Sequence, residues 1–186
     1  EAGEKITHAA NVKIIDWEIL KKRTEVVGYP ILPVVEQLSK NVADDYGQFC
    51  HWGATTQDIM DTADVLQMKK GLELLFADLN AIFLSLSKII KEHINTPMAG
   101  RTHIQHALPI PFGYKAATWL SGIDRHIERL KEIQNRLYNI SFFGAAGTLA
   151  SLGEKDGLNT QVELAKELSL NVPDVRWHSI RDNFTE

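Results

Sequence analysis

One cysteine, Cys50, stands among 186 residues, so the chain can close no disulfide within itself and build no cysteine-cluster metal site. That scarcity fits a reducing, cytoplasmic setting. No apolar run approaches the roughly 18 residues that cross a bilayer, and no secretory signal is visible. Positive charge is not in excess: the formal net charge is −4, with lysine and arginine scattered along the chain. Composition therefore offers no pull on nucleic-acid phosphates or anionic lipid, and neither nucleic acid nor membrane is expected as a partner. There is no convincing run of alternating strand pattern, no low-complexity linker and no repeat of 20–50 residues. Gly144-Ala145-Ala146-Gly147 lacks the following Gly-Lys-Ser/Thr, which excludes a phosphate-binding loop. What remains is 44% hydrophobic and 24% charged, the balance of a globular chain with a packed core. It begins with Glu1 and stops at Phe184-Thr185-Glu186, without a turn signal or polar tail. Truncation at both ends is therefore expected.

Apolar periodicity predicts helices throughout. Val12, Ile15 and Ile19 recur at helical spacing over residues 11–25, and Gly28-Tyr29-Pro30-Ile31-Leu32-Pro33 breaks that run. A second helix to about residue 43 places Val34, Val35, Leu38 and Val42 inward. Met68, Leu72, Leu75, Leu79, Ile82, Leu86 and Ile89 then step by four and three across three heptads, from a start that Asp58 can cap to a stop at Asn95-Thr96-Pro97. Some 35 residues make a rod of about 50 Å, longer than the roughly 40 Å expected across a compact chain of this size. More chain, or other subunits, must cover it. A further long helix over 112–139 carries Leu120, Ile123, Ile127, Leu130, Ile133, Leu137 and Ile140 on one face. Residues 141–153 are small and glycine-rich, which allows close backbone approach or a substrate loop. A shorter helix near 158–169 ends before Pro173. The fold expected is all-α, a bundle of long helices.

Three polar segments interrupt the pattern at helix boundaries. In His51-Trp52-Gly53-Ala54-Thr55-Thr56-Gln57-Asp58, hydroxyls, a carboxamide and the unpaired N–H groups of a helix start suit a carboxylate. Plain capping by Thr56 or Asp58 explains the same residues. Gly100-Arg101-Thr102-His103-Ile104-Gln105-His106 sets an arginine, able to grip a carboxylate through two parallel bonds, beside histidines that exchange protons near neutrality. A histidine that only satisfies backbone groups is the plain alternative for His103. His103 and His106 lack an acidic or cysteine ligand beside them, and no metal site is expected. Trp177-His178-Ser179-Ile180-Arg181-Asp182-Asn183 reads on its own as a solvated helix start. His8, His93 and His126 fall in charged or helical surroundings and are expected at the surface.

The first segment, continued by Ile59-Met60-Asp61-Thr62-Ala63, resembles the first signature region of the fumarase/aspartase superfamily. Residues 99–113 resemble the second, whose Thr-His pair falls on Thr102 and His103. Phe142 to Gly153 and Trp177 to Asp182 resemble the muconate-cycloisomerase branch, and the likeness spans nearly the whole chain. Two departures bear on substrate. Residues 28–33 lack the histidine that adenylosuccinate lyases usually carry there, whereas His103 is present although some muconate cycloisomerases lack its counterpart. The family's mobile Gly-Ser-Ser-x-Met-Pro-x-Lys-x-Asn-Pro loop, which supplies a catalytic serine, does not occur in these residues.

The resemblance implies an enzyme that needs no metal or organic cofactor, acting on a small di- or tricarboxylate by elimination or its reverse. Lactonisation of 3-carboxy-cis,cis-muconate is the first reading and adenylosuccinate-type C–N cleavage releasing fumarate the second. A non-catalytic helical scaffold descended from such an enzyme is the rival from another class. The resemblance further implies a homotetramer that assembles through its central helices, with sites shared between subunits and the general base on the absent loop. It makes residues 1–57 part of an N-terminal helical domain and residues 58–186 part of a central helical-bundle domain. In the implied site His103 and Thr102 are catalytic, His103 moving a proton. His51, Thr55, Thr56, Gln57, Arg101, Gln105, His178 and Arg181 bind substrate.

Overall fold

The computed structural model describes residues 1–175 and 179–186, with Glu154 and Asn183 described by backbone alone. The elements in order are α1 (Ala2–Ala9), α2 (Trp17–Val27), α3 (Ile31–Asn41), α4 (Thr56–Glu92), β1 (Pro97–Thr102), β2 (Gln105–Pro111), α5 (Phe112–Leu137), α6 (Glu154–Leu168) and α7 (Asp182–Thr185). Single turns of 3-10 helix lie at Val12–Ile14 and Tyr46–Phe49. The all-α expectation holds apart from one small hairpin. Two compact units divide the chain, one of residues 1–66 with 138–186, the other of residues 67–137.

In the first unit the helix expected over 11–25 is split in two. The Asn11 side chain accepts from the Lys13 amide at 2.9 Å and starts the 3-10 turn. Asp16 accepts from the Glu18 and Ile19 amides at 2.9 and 3.0 Å and starts α2 afresh. Short polar side chains compete with the helix for backbone donors, and two of them within six residues overrode the apolar spacing. α2 then closes on Gly28, whose φ of 93° is the left-handed cap that glycine adopts without strain. On α3, Val34, Val35 and Leu38 are half-buried and Val42, just past its end, is buried.

The core of this unit gathers Val65 of α4, Ile140, Phe142 and Leu149 of the segment after α5, Ala165 of α6 and Leu170. α6 starts at Glu154, four residues before the expected helix. Backbone bonds stitch the segment to the end of α6, from the Ile140 amide to the Asn171 carbonyl at 2.9 Å and from the Asn171 amide to the Tyr138 carbonyl at 2.7 Å. Phe184 of α7 packs on the same core.

The second unit holds most of α4, the hairpin and α5. β1 and β2 pair antiparallel, Met98 opposite Ile110 and Thr102 opposite Gln105, with an irregularity at Gly100. This corrects the expectation of no strand. The register is carried by the backbone, and prolines 97, 109 and 111 suppress the alternation that marks most strands. They are tolerated because each strand of a two-stranded ribbon is an edge. Gly100 is required where it stands, since a Cβ there would lie 2.5 Å from the Leu108 carbonyl oxygen. The hairpin returns the chain onto the end of α4, where the Gly113 amide donates to the His93 carbonyl at 2.9 Å. α4 has 37 residues, about 55 Å at helical rise. Along its heptad face Leu72 is buried, but Met68, Leu75 and Ile82 are exposed, as are Leu74 and Leu84 beside it. On α5 the expected face is better covered, with Ile127 and Leu137 buried.

Candidate active site

Two of the three polar segments contain backbone conformations that are uncommon outside glycine. His51 has φ 63°, and His103 and Ile104 have φ 33° and 64°. Left-handed φ is uncommon outside glycine, and for a β-branched residue such as Ile104 it is strained. Such outliers collect where function constrains the chain.

In the first unit, His51 leads through a tight turn into α4. Thr55 stands at the N-cap and Thr56 and Gln57 in the first turn, all three half-buried. The cap is supplied by Asp58, whose Oδ2 accepts from the Thr55 amide at 2.9 Å, half of a capping box. No hydrogen bond joins the hydroxyl of Thr55 or Thr56 to another described residue. Both hydroxyls are thus left for a ligand beside the amide-rich helix start. Capping proves real, but it is the work of Asp58 rather than Thr56.

Asp58 also builds the wall next to this site. It is fully buried, and beyond Thr55 it accepts from the Phe143 amide at 3.0 Å, the Gly144 amide at 3.0 Å and the Ser141 hydroxyl at 3.4 Å. One turn on, the Thr62 hydroxyl donates to the Ser141 carbonyl at 3.0 Å and accepts from its amide at 2.9 Å. The glycine-rich segment is therefore fastened to the first turns of α4, with 141–144 buried and Ala145 and Ala146 exposed. The close approach expected of it occurs at Gly144, where a Cβ would lie 3.3 Å from the Gly53 carbonyl oxygen.

Asp61, likewise buried, accepts from the Gln57 amide nitrogen and is gripped by Arg181 through two bonds of 2.8 and 2.9 Å. Arg181 sits over the Phe184 ring, 4.9 Å from its centre, and the Asp61 carboxylate holds its guanidinium firmly charged. Of the expected site residues, the structure thus brings Gln57 and Arg181 together on one carboxylate. His178 lies outside the described residues.

In the second unit, Arg101 and Thr102 end β1, His103 and Ile104 form the turn, and Gln105 opens β2. All are exposed at the hairpin tip, Ile104 completely. A two-residue turn with both φ positive normally selects Asn-Gly. His-Ile in that place hid the hairpin from the sequence.

Sequence reasoning missed Asp58 and Asp61 as organisers. Their signal was nevertheless present. Stepping the heptad rhythm back from Leu72 and Met68 gives 65, 61 and 58, so both acids fall on the stripe that carries buried Val65, and a buried carboxylate demands partners.

A sequence family described as lyase matches residues 2–184. Trans-aconitate decarboxylase 1 of Mycosarcoma maydis is 44% identical over 185 residues, covering 100% of this chain and 37% of that protein. The crystal structure of fumarate lyase from Mesorhizobium sp. BNC1 is 54% identical with a TM-score of 0.92, covering 98% of this chain and 43% of that one. That of the 3-carboxy-cis,cis-muconate lactonizing enzyme from Pseudomonas putida is 37% identical with a TM-score of 0.93, covering 98% and 42%. The chain therefore spans between 37% and 43% of the length of these relatives. Among the described residues, no helix is long and apolar enough to cross a membrane.

Burial pushes the His51 imidazole below its ordinary value, an effect partly offset by the negative charge of Asp58. The unfolded chain then takes up a proton near pH 6.5 while the folded one resists until lower pH. The contribution is full above about pH 6.5 and is lost as pH falls through the folded value. Denaturant unfolding at fixed protein concentration from pH 8 to pH 5 should show wild type losing stability relative to His51→Gln below that point, by at most about 1.4 kcal/mol per pH unit. Parallel curves would remove the assigned burial effect.

Proposed function

This chain belongs to the fumarase/aspartase superfamily of lyases, and on that premise we propose that the whole protein acts on a small di- or tricarboxylate by elimination or its reverse. The observation that carries this reading is the start of α4, where Asp58 does the capping and leaves the Thr55 and Thr56 hydroxyls unspent. One substrate carboxylate is held by these hydroxyls, by Gln57 and by the first-turn amides, where the helix presents partial positive charge. His51, Arg101, Gln105, His178 and Arg181 bind the remainder.

In the forward direction a base outside these residues takes the proton from the carbon bearing the bound carboxylate. The electron pair moves into that carboxylate, and donors matched to the added charge lower the barrier. The pair then returns to form the double bond as the bond at the neighbouring carbon breaks. His103, supported by Thr102, gives a proton to the departing group, and in the reverse direction takes one up. The strained turn at His103 supports this role.

Lactonisation of 3-carboxy-cis,cis-muconate is the reaction of first choice, supported by the Pseudomonas putida likeness over nearly the whole chain. Decarboxylation of a tricarboxylate is the second, favoured by the 44% identity to trans-aconitate decarboxylase 1. Loss of carbon dioxide leaves the same kind of charge beside a carboxylate, for the same donors to stabilise. Assays of the whole protein on 3-carboxy-cis,cis-muconate, trans-aconitate and adenylosuccinate separate these from C–N cleavage. Turnover of none of them points to the non-catalytic scaffold. With the accepted substrate, His103→Ala should lower turnover about 100-fold or more with helical content unchanged. Near-normal turnover would remove the role.

The same proposal makes the whole protein a cytoplasmic homotetramer, divided near residue 57 into N-terminal and central helical domains. Each site is completed by neighbouring subunits. Its support is the exposure of Met68, Leu75 and Ile82 on one face of α4, an apolar stripe of the kind that helices bury against each other. Light scattering of the whole protein should give four times the chain mass at micromolar concentration. A stable monomer would contradict it.

A further inference from the structure

We infer that Asp61 is a positioning residue, setting the orientation of the Gln57 amide at the carboxylate-binding end of α4 while clamping Arg181 beside it. The inference rests on the proposal that this end of α4 is the substrate site. Asp61 lies one helical turn after Gln57 and is 2% exposed. Its Oδ1 accepts from Gln57 Nε2 and from Arg181 Nη2, and its Oδ2 accepts from Arg181 Nη1.

An ionised carboxylate only accepts hydrogen bonds, so it admits only the NH2 end of a neighbouring amide. With the amide reversed, two acceptors would face each other in a buried place, an arrangement with a steep cost. Gln57 is thereby held in one of its two amide orientations. It keeps one N–H and its carbonyl oxygen for a ligand. The end-on fork of Arg181 takes one hydrogen from each terminal nitrogen and leaves three donors, on a side chain 43% exposed.

Stability alone is a weak reason for such a carboxylate. Position 61 is in phase with Asp58 and Val65 on the buried stripe, where an apolar side chain would pack without any loss of hydration. Buried ion pairs often do no better than well-packed apolar replacements. A group that must hold an amide one way round, and tie residue 181 to a helix start 120 residues earlier in the chain, has a reason to be charged.

The test uses the whole protein and three probes, fumarate, trans-aconitate and 3-carboxy-cis,cis-muconate, with affinity read by calorimetry and folding by circular dichroism. Asp61→Asn keeps the shape but presents an amide, against which Gln57 can pair either way round. Its affinity for the bound probe should fall about tenfold, the scale of one hydrogen bond to a charged group, and Asp61→Glu should recover part of it. Gln57→Leu should cause a similar fall, and the double variant Gln57→Leu/Asp61→Asn should lose less than the two single losses combined, because the part of the Asp61 effect that runs through Gln57 is already gone while the part that runs through Arg181 remains. Should Asp61→Asn not fold, Asp61→Ser carries the same comparison. Unchanged affinity in Asp61→Asn, or additive losses in the double variant, would overturn the positioning role while leaving the site reading intact. Failure of wild type to bind any of the three acids would overturn the site reading and this inference with it.

Discussion

A carboxylate with no exposure to water must be satisfied from every side, and Asp58 is the group on which this chain's first unit depends. Four donors meet it: three backbone amides from two separate stretches of chain, and the Ser141 hydroxyl. Taking a carboxylate out of water costs several kcal/mol. Each charge-assisted bond returns about 1.5–3 kcal/mol, and the positive end of α4 adds to that. The balance closes only if the 141–144 backbone is held against the helix. Asp58 thus converts the start of a glycine-rich segment, which would otherwise wander, into a fixed wall in which residues 141–144 are buried.

That demand shapes what the site can do. Because Asp58 caps the helix from within the first turn, the threonines at 55 and 56 are released from the capping role that their position suggests. Asp61, one turn further along the same buried stripe, engages Gln57 and Arg181. Two buried acids therefore organise the polar residues around a helix start, taking the Thr55 amide and one Gln57 N–H while no hydrogen bond joins the Thr55 and Thr56 hydroxyls to another described residue. The Thr55 and Thr56 hydroxyls and one Gln57 N–H are the side-chain donors that this arrangement leaves for the carboxylate of the proposed substrate.

The long helices, the end of α4 before Pro97, the start of α5 at Phe112 and the polar character of the segments between them were legible in the sequence, because heptad spacing and proline act locally. So was the close approach of the glycine-rich stretch. The split at Asp16 was hidden by apolar residues that continue in helical phase across a cap. The hairpin was hidden by prolines and by a His-Ile turn whose backbone is strained. At the site, residue types pointed to Thr55, Thr56, Gln57 and His103, but partners 79 to 120 residues apart, such as Thr62 with Ser141 and Asp61 with Arg181, are set by tertiary packing. Only the phase of Asp58 and Asp61 on the apolar stripe announced that such partners had to exist.

Amide hydrogen exchange on the whole protein, comparing wild type with Asp58→Ala, tests the dependence on Asp58 most directly. The Phe143 and Gly144 amides should be protected in wild type and lose protection about 100-fold or more in the variant, as expected when roughly 3 kcal/mol of charge-assisted bonding is removed. The amides of α6 should stay protected. Equal protection of Phe143 and Gly144 in the two proteins would show that the wall stands without Asp58 and would contradict the account.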